Sequence, residues 1–359
     1  MPTPHPALTR TQAFCAAYNL RIPILLAPMA GACPAGLSIA IAGAGGMGAC
    51  GGLTMQPAAI AAWAAEVRAA TNGGFQLNLW IPDPPPVRNE AAEAAVRTFL
   101  GTWGPAVPPG AGDATPPDFA AQCEALLKAG PSVISSIMGL YPPDFVTRMK
   151  AQGIRWFATV TTVREALDAE AAGADAIVAQ GMEAGGHRGA FDAARAETAM
   201  VGLFALLPAI VDAVKCPVIA TGGIADARGV AAALILGASA VQIGTGFLRT
   251  PEAKLPPAWA DAIGLSRPEE TLVTRAFSGR TGRSVATAYA RAASAPDAPP
   301  PAPYPVQRAL TQAMRDAATK AGDIDRMQAW AGQSASMAQA RPAADVARDL
   351  WDGARDLLR

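Results

Sequence analysis

The densest chemistry in the chain lies in one short run, Gln180-Gly-Met-Glu-Ala-Gly-Gly-His-Arg-Gly189. It contains His187, and the only other histidine, His5, sits in a Pro-rich N-terminal stretch. Imidazole is the side chain whose unperturbed pKa lies nearest neutrality, so His187 is the candidate for taking and returning a proton at physiological pH. A histidine on a glycine loop can also be a structural hydrogen-bonder. Its isolation and its position directly after an apolar strand-like run favour the acid/base role. Gly185, Gly186 and Gly189 would let such a loop lie against a planar ligand. Glu183 is the alternative base, but a carboxylate between Gly-Met and Ala-Gly-Gly can brace the loop by accepting backbone N–H groups, and bracing is the favoured reading.

Two further segments suit a phosphate. Thr221-Gly-Gly-Ile-Ala-Asp226 and Gly244-Thr-Gly-Phe247 each follow an apolar run and precede a stretch compatible with a helix. Gly222, Gly223 and Gly244 let backbone amides approach an anion, and a helix N-terminus favours negative charge. The same glycines would also serve simple tight turns. No Gly-x-x-x-x-Gly-Lys-Ser/Thr sequence occurs, which argues against a P-loop. Gly43-Ala-Gly-Gly-Met-Gly48 matches the dinucleotide fingerprint, but an Ala-rich helix precedes it and a strand follows, so it reads as a helix-ending turn.

The elements that must position these residues alternate regularly. Strands are predicted at 24–27, 46–49, 75–79, 133–136, 155–159, 176–180, 218–221 and 240–243. Helices are predicted at 35–42, 57–70, 118–129, 144–152, 163–172, 203–214 and 227–236. Eight strands with helices in most of the intervals favour an α/β fold, a (β/α)8 TIM barrel over residues 1–249 with its active site at the C-terminal ends of the strands. An open doubly wound sheet is the alternative, because strand order is not visible in one sequence. A Pro-rich excursion at 82–117 interrupts the rhythm. Residues 250–335 read as a small helical cap with helices at 306–320 and 323–331, and 336–359 as a C-terminal helix packing on the barrel.

Composition narrows the function. At 359 residues the chain accommodates a barrel of about 250 residues plus roughly a hundred more. Its 51% hydrophobic and 16% charged content argues for a large folded core, and zero formal net charge without long single-sign runs argues against nucleic acid or anionic lipid as partners. A small-molecule substrate is the expectation. Five dispersed cysteines without a Cys-x-x-Cys pair argue against disulfides and zinc, so no metal is expected. The apolar stretches are interrupted before they reach the ~20 residues that span a bilayer, and no secretory signal is recognisable, so the expected compartment is the cytoplasm.

Over nearly its whole length the chain resembles the nitronate monooxygenase family, formerly called 2-nitropropane dioxygenases. The resemblance rests on Ile24-Leu-Leu-Ala-Pro-Met-Ala-Gly31, Gln76-Leu-Asn-Leu79, the Gln180–Gly189 loop, Gly222-Gly-Ile-Ala-Asp226, Gln242-Ile-Gly-Thr245 and Trp330-Ala-Gly-Gln333. It implies FMN held by Asn78, Gln180, Gly185, Gly186, Gly222, Gly223 and the run Gln242, Ile243, Gly244, Thr245, with Met29 and Ala30 near the isoalloxazine. It also implies His187 as catalytic base, a nitronate or nitroalkane as substrate, and O2 as oxidant, with carbonyl compound and nitrite as products. A homo-oligomer is compatible with the sequence. The region Ser135-Ser-Ile-Met-Gly-Leu-Tyr141 departs from the family's Ser-x-x-x-Gly-x-Pro, adding no polar group at Ile137 or Met138 and predicting a more apolar pocket there.

Two alternatives remain at the level of sequence. FMN-dependent NAD(P)H reductases of the enoyl or quinone type look similar through the same Gly185-Gly-His loop, and a non-catalytic flavin-binding scaffold would use the same turns. Ser278 and Arg280, in Ser-Gly-Arg-Thr-Gly-Arg, either touch phosphate or cap a helix.

Overall fold

The computed structural model describes residues 5–359. Eleven strands are numbered along the chain: β1 (Ile24–Leu26), β2 (Gly48–Gly51), β3 (Phe75–Trp80), β4 (Val133–Ile137), β5 (Arg155–Val160), β6 (Ala176–Gln180), β7 (Gly186–His187), β8 (Val218–Thr221), β9 (Ala240–Ile243), β10 (Thr271–Thr274) and β11 (Gly282–Val285). Eight of them form one parallel sheet in the order β1-β9-β8-β6-β5-β4-β3-β2. The two ends meet, since Leu26 N donates to Met47 O at 2.9 Å and Met47 N donates to Ile24 O at 3.2 Å. The sheet therefore closes into a (β/α)8 barrel, and the open-sheet alternative falls.

Strand alternation sorts the barrel interior into layers. Leu25, Met47, Val133, Phe157, Ala176, Val178, Ile219 and Ala240 fill its lower part, and Phe14 joins them from helix Pro6–Ala17. Tyr18, at the end of that helix, stands edge-on to Phe157 at 5.1 Å and helps close the barrel floor. Two residues further along the same faces come Ser135, Thr159, Gln180, Thr221 and Gln242, together with Asn78. The interior thus passes from a hydrocarbon plug to a layer of amides and hydroxyls at the C-terminal strand ends. Buried polar groups persist only when hydrogen-bonded or offered to a ligand, so this layer marks the working end.

Seven helices form close to their predicted positions on the outside: Ala35–Ala44, Pro57–Ala70, Phe119–Ala129, Pro143–Ala151, Val163–Ala171, Leu203–Ala213 and Ala227–Ile235. Helix Ala343–Leu357 packs its buried stripe, Val346, Ala347, Leu350 and Ala354, against the first and last of these. Helix Glu90–Gly101 of the Pro-rich excursion sends Val96 and Leu100 into a separate cluster with Phe277, Tyr289, Val306, Leu310 and Met314. Excursion and late segment thereby build one layer above the strand ends.

Several local expectations shift. Strand β2 begins at Gly48 rather than Gly46, because Gly46 N is taken by Ile41 O at the end of the preceding helix, where Gly45 adopts φ +104°. That ending is the turn expected of the false dinucleotide fingerprint. His5 caps helix Pro6–Ala17, which the sequence reading omitted. The helix expected over 323–331 reduces to a single 3₁₀ turn, Ile324–Arg326, after which burial alternates: Met327, Ala329 and Ala331 inward, Gln328 and Trp330 less buried. That period of two suits an extended segment, and Trp330 bridges Ser284. The segment after 250 also carries the unpredicted ribbon β10-β11, and β11 pairs antiparallel with β7, setting His187 opposite Gly282. No helix among the described residues is long and apolar enough to cross a membrane.

Candidate active site

A cavity of about 440 Å³ opens at the C-terminal ends of the strands, within the size range of small-molecule sites. Met29, Ala30, Asn78, Gln180, Gly185, Gly186, His187, Gly222, Gly223, Gln242, Ile243, Gly244 and Thr245 all line it. Residues from the ends of five barrel strands, β1, β3, β6, β8 and β9, read separately along the chain, are brought to one space.

At one side lie the glycine turns. Gly222 and Gly223 adopt φ +107° and +69°, in the left-handed region that disfavours side chains. The N–H groups of Gly222, Gly223 and Thr245 donate to no acceptor among the described residues. Three unspent donors beside the start of helix Ala227–Ile235 fit a phosphate. The polar layer forms the floor: Asn78 Nδ2 donates to Ser135 Oγ at 3.0 Å, and Thr221 Oγ1 donates to Gln242 O at 2.8 Å. These groups suit a heterocycle bearing both donors and acceptors, so the residues present fit FMN.

The loop that follows β6 is held from several directions. Gln180 Nε2 donates to His187 O at 3.0 Å, and its Oε1 accepts from Gly189 N at 2.7 Å. Gln180 therefore spends much of its amide on the loop. Glu183 accepts Leu203 N through both oxygens, at 2.9 and 3.0 Å, capping helix Leu203–Ala213, which is the bracing role expected of it. Arg188 donates to Gln180 O at 2.7 Å, and Arg283 donates to Met182 O at 3.0 Å.

His187 itself stands between two indoles, with Trp80 edge-on at 4.6 Å and Trp330 tilted at 4.6 Å. Its Nε2 lies 2.7 Å from Ser278 Oγ. That hydroxyl also lies 3.2 Å from Arg280 O, to which it can donate, and 3.3 Å from Arg280 N, from which it can accept. A hydroxyl has one proton and two lone pairs. All three contacts are satisfied when Ser278 donates to Arg280 O and accepts from both Arg280 N–H and His187 Nε2–H. The network thus assigns the Nε2–H tautomer, leaving the lone pair of Nδ1 without a partner among the described residues. Ser278 neither touches a phosphate turn nor caps a helix; it sets the histidine.

Electrostatics revise one expectation. Burial, followed by Arg308, Arg280 and Arg315, pushes the His187 pKa down to about 3 rather than leaving it near neutrality. The guanidinium of Arg308 lines the cavity and forms no hydrogen bond or ion pair with the described residues. Arg315 is held by Thr311 Oγ1, Gln328 Oε1 and Arg308 O at 3.1, 2.9 and 2.9 Å, none of them a carboxylate. Arg280 donates to Ala190 O at 3.2 Å and lies 3.3 Å from Asp83 Oδ1, out of line for a hydrogen bond. Asp83 offsets Arg280, and Asp316, which also lines the cavity, acts on Arg315, so Arg308 is the cavity arginine without an ion pair among the described residues.

Sequence reasoning missed Trp80, Arg308 and Arg315. Trp80 follows Asn78 by two in one strand, so alternation alone would have placed it on the inward face. Nothing local marked the arginines.

The family profile described as nitronate monooxygenase matches residues 13–353. The chain belongs to that family. A nitronate monooxygenase of Pseudomonas aeruginosa is 37% identical over 359 residues, covering 96% of this chain and 99% of its own. A nitroalkane oxidase from Streptomyces ansochromogenes has a similar solved structure, with TM-score 0.86, 34% identity, and coverage of 96% of this chain and 100% of its own. FabK from Thermotoga maritima superimposes with TM-score 0.75 at 27% identity, covering 96% of both chains. The family match spans every cavity residue named above, and this nitronate monooxygenase family member is an oxidoreductase.

Proposed function

We propose that the protein uses FMN and O2 to oxidise alkyl nitronates, and more slowly their parent nitroalkanes, to a carbonyl compound and nitrite. The observation that carries this reading is that His187, with Nδ1 unpartnered among the described residues, shares one cavity with the Arg308 guanidinium, which has no ion pair among them, and with the glycine turns whose N–H groups are unspent. FMN, when bound, supplies the electron-accepting chemistry and hands electrons on to O2. Gly222, Gly223 and Thr245 would hold its phosphate, and Asn78 and Gln242 its ring edge.

The chain's own residues perform the rest. A nitronate is an anion, and Arg308 attracts it into the cavity without first breaking an ion pair. A neutral nitroalkane must lose its α-proton to His187 Nδ1. The imidazolium so formed is disfavoured by burial and three arginines, and it persists only beside the nitronate just made. Deprotonation is therefore the harder path, and the preformed nitronate the better substrate. Trp80 and Trp330 exclude water from the imidazole faces.

Oxygen uptake and nitrite release with ethylnitronate and with nitroethane test the proposal. His187→Asn is expected to cost nitroethane turnover about 100- to 10,000-fold, the usual contribution of a positioned base, while ethylnitronate turnover largely survives. Equal losses on both substrates would remove the base role, and absence of nitrite from either would remove the proposed reaction. The rival that the Gly185-Gly-His loop leaves open is an FMN-dependent NAD(P)H reductase. Rapid anaerobic bleaching of the flavin by NADH or NADPH would support that rival instead.

A further inference from the structure

Below the cavity floor lies a second glutamine that no ligand would touch. Gln76 is 0% exposed, yet both its amide protons are used: Nε2 donates to Leu26 O at 3.1 Å and to Gln242 Oε1 at 2.9 Å. Its own Oε1 is left without a partner. Buried side-chain carbonyls are normally satisfied, so this orphan needs a reason.

The reason is the direction in which the chain of amides runs. Leu26 O is a backbone carbonyl of β1 and can only accept. Gln76 must therefore present its NH2 group there; flipping it would set Oε1 against Leu26 O. With the amide so fixed, the second proton of Nε2 points to Gln242, which must turn its carbonyl oxygen to receive it. Gln242, 4% exposed and lining the cavity, is then left with its NH2 group turned away from Gln76 and without an acceptor among the described residues. One main-chain oxygen thus decides the orientation of two side-chain amides.

We infer that Gln76 is a positioning residue for the cofactor: it locks Gln242 as a hydrogen-bond donor toward an acceptor atom, a ring carbonyl or imine nitrogen, of the bound heterocycle. This rests on the reading of the cavity as a flavin site. Without Gln76, either face of the Gln242 amide can meet the ring, and the donor is present for only part of the population. The unpartnered Oε1 is the cost of holding the amide in the one orientation that serves the site.

The test is a double-mutant cycle on FMN affinity and on the visible spectrum of the bound flavin. FMN-free wild type, Gln76→Met, Gln242→Met and the double variant are titrated with FMN, following quenching of flavin fluorescence. Gln242→Met is expected to weaken FMN by about 10-fold, one hydrogen bond's worth. Gln76→Met is expected to weaken it by about 3-fold and to move the flavin absorption bands in the same direction. The double variant should match Gln242→Met alone, because orienting an absent amide has no effect. Unchanged affinity and spectrum in Gln76→Met, or losses that simply add in the double variant, would overturn the relay. Wild type that binds no FMN would overturn the flavin reading itself, a different result from a wild type that binds while Gln76→Met binds equally well.

Discussion

Replacing Ser278 by alanine separates the setting of the histidine from its chemistry. Ser278 is fully buried, and its hydroxyl meets His187 Nε2 at 2.7 Å and the Arg280 backbone at 3.2 and 3.3 Å. Ser278→Ala removes the acceptor that holds the Nε2–H tautomer. The net worth of such a hydrogen bond is about 0.5–1.5 kcal/mol, which converts to a loss of roughly 2- to 13-fold in the step where Nδ1 must take a proton. Neutral imidazole keeps some of the same tautomer unaided, so the loss should stay far below that of removing His187. Steady-state oxygen consumption is the assay, with nitroethane and ethylnitronate compared on one preparation. The expected pattern is a kcat/KM loss of that size on nitroethane, less than about 2-fold change on ethylnitronate, and unchanged FMN affinity. The two Arg280 backbone groups left unpaired should also lower the melting temperature, by the equivalent of about 1–3 kcal/mol. Equal losses on both substrates, or none on nitroethane, would refute the assignment of Nδ1 as the base.

Further outcomes follow from the same geometry. Gly185→Ala would set a methyl group 2.4 Å from Gly332 N and 2.6 Å from Ala331 C, both backbone atoms, so FMN binding and thermal stability should both drop in a melting experiment with and without FMN. Arg308→Leu should raise the KM for ethylnitronate roughly 10-fold, the equivalent of about 1.4 kcal/mol. It should also let the His187 pKa rise, since Arg308 holds it down. Because the folded pKa is lowered to about 3 from 6.5, the unfolded chain takes up a proton first as pH falls. Stability should therefore decline between about pH 6.5 and pH 3 by more in wild type than in His187→Asn, measured by urea unfolding at each pH. The rate profile on nitroethane should accordingly lack a limb near pH 6.5 that belongs to His187.

What the sequence made legible was chemistry carried by residue type. His187 stood out because only one other imidazole exists, and Gly222, Gly223 and Gly244 because glycine pairs after strands have few uses. The barrel was legible through eight strands alternating with seven helices, although closure depends on the contact of Leu26 with Met47, which no periodicity reveals. What stayed hidden was brought together by tertiary distance. Ser278 meets His187 across 91 residues. The pairing of β7 with β11 likewise joins distant segments, the first only two residues long and the second, Gly-Arg-Ser-Val, without the apolar run that announces a strand. Arg308 comes from a segment that offered only a helix prediction. The low pKa of His187 was illegible for the same reason: it arises from burial and three arginines far along the chain, not from the loop's own residues.

On the proposed reading, backbone amides of the turns after β8 and β9 clasp a flavin's phosphate and so set its ring beside His187. The most direct measurement is parallel titration of the FMN-free protein with FMN and with riboflavin, which differ only in that phosphate. Charge-assisted hydrogen bonds of about 1.5–3 kcal/mol each lead us to expect one equivalent of FMN bound at least ~100-fold more tightly than riboflavin. A protein that binds neither, or binds both equally, would contradict the account.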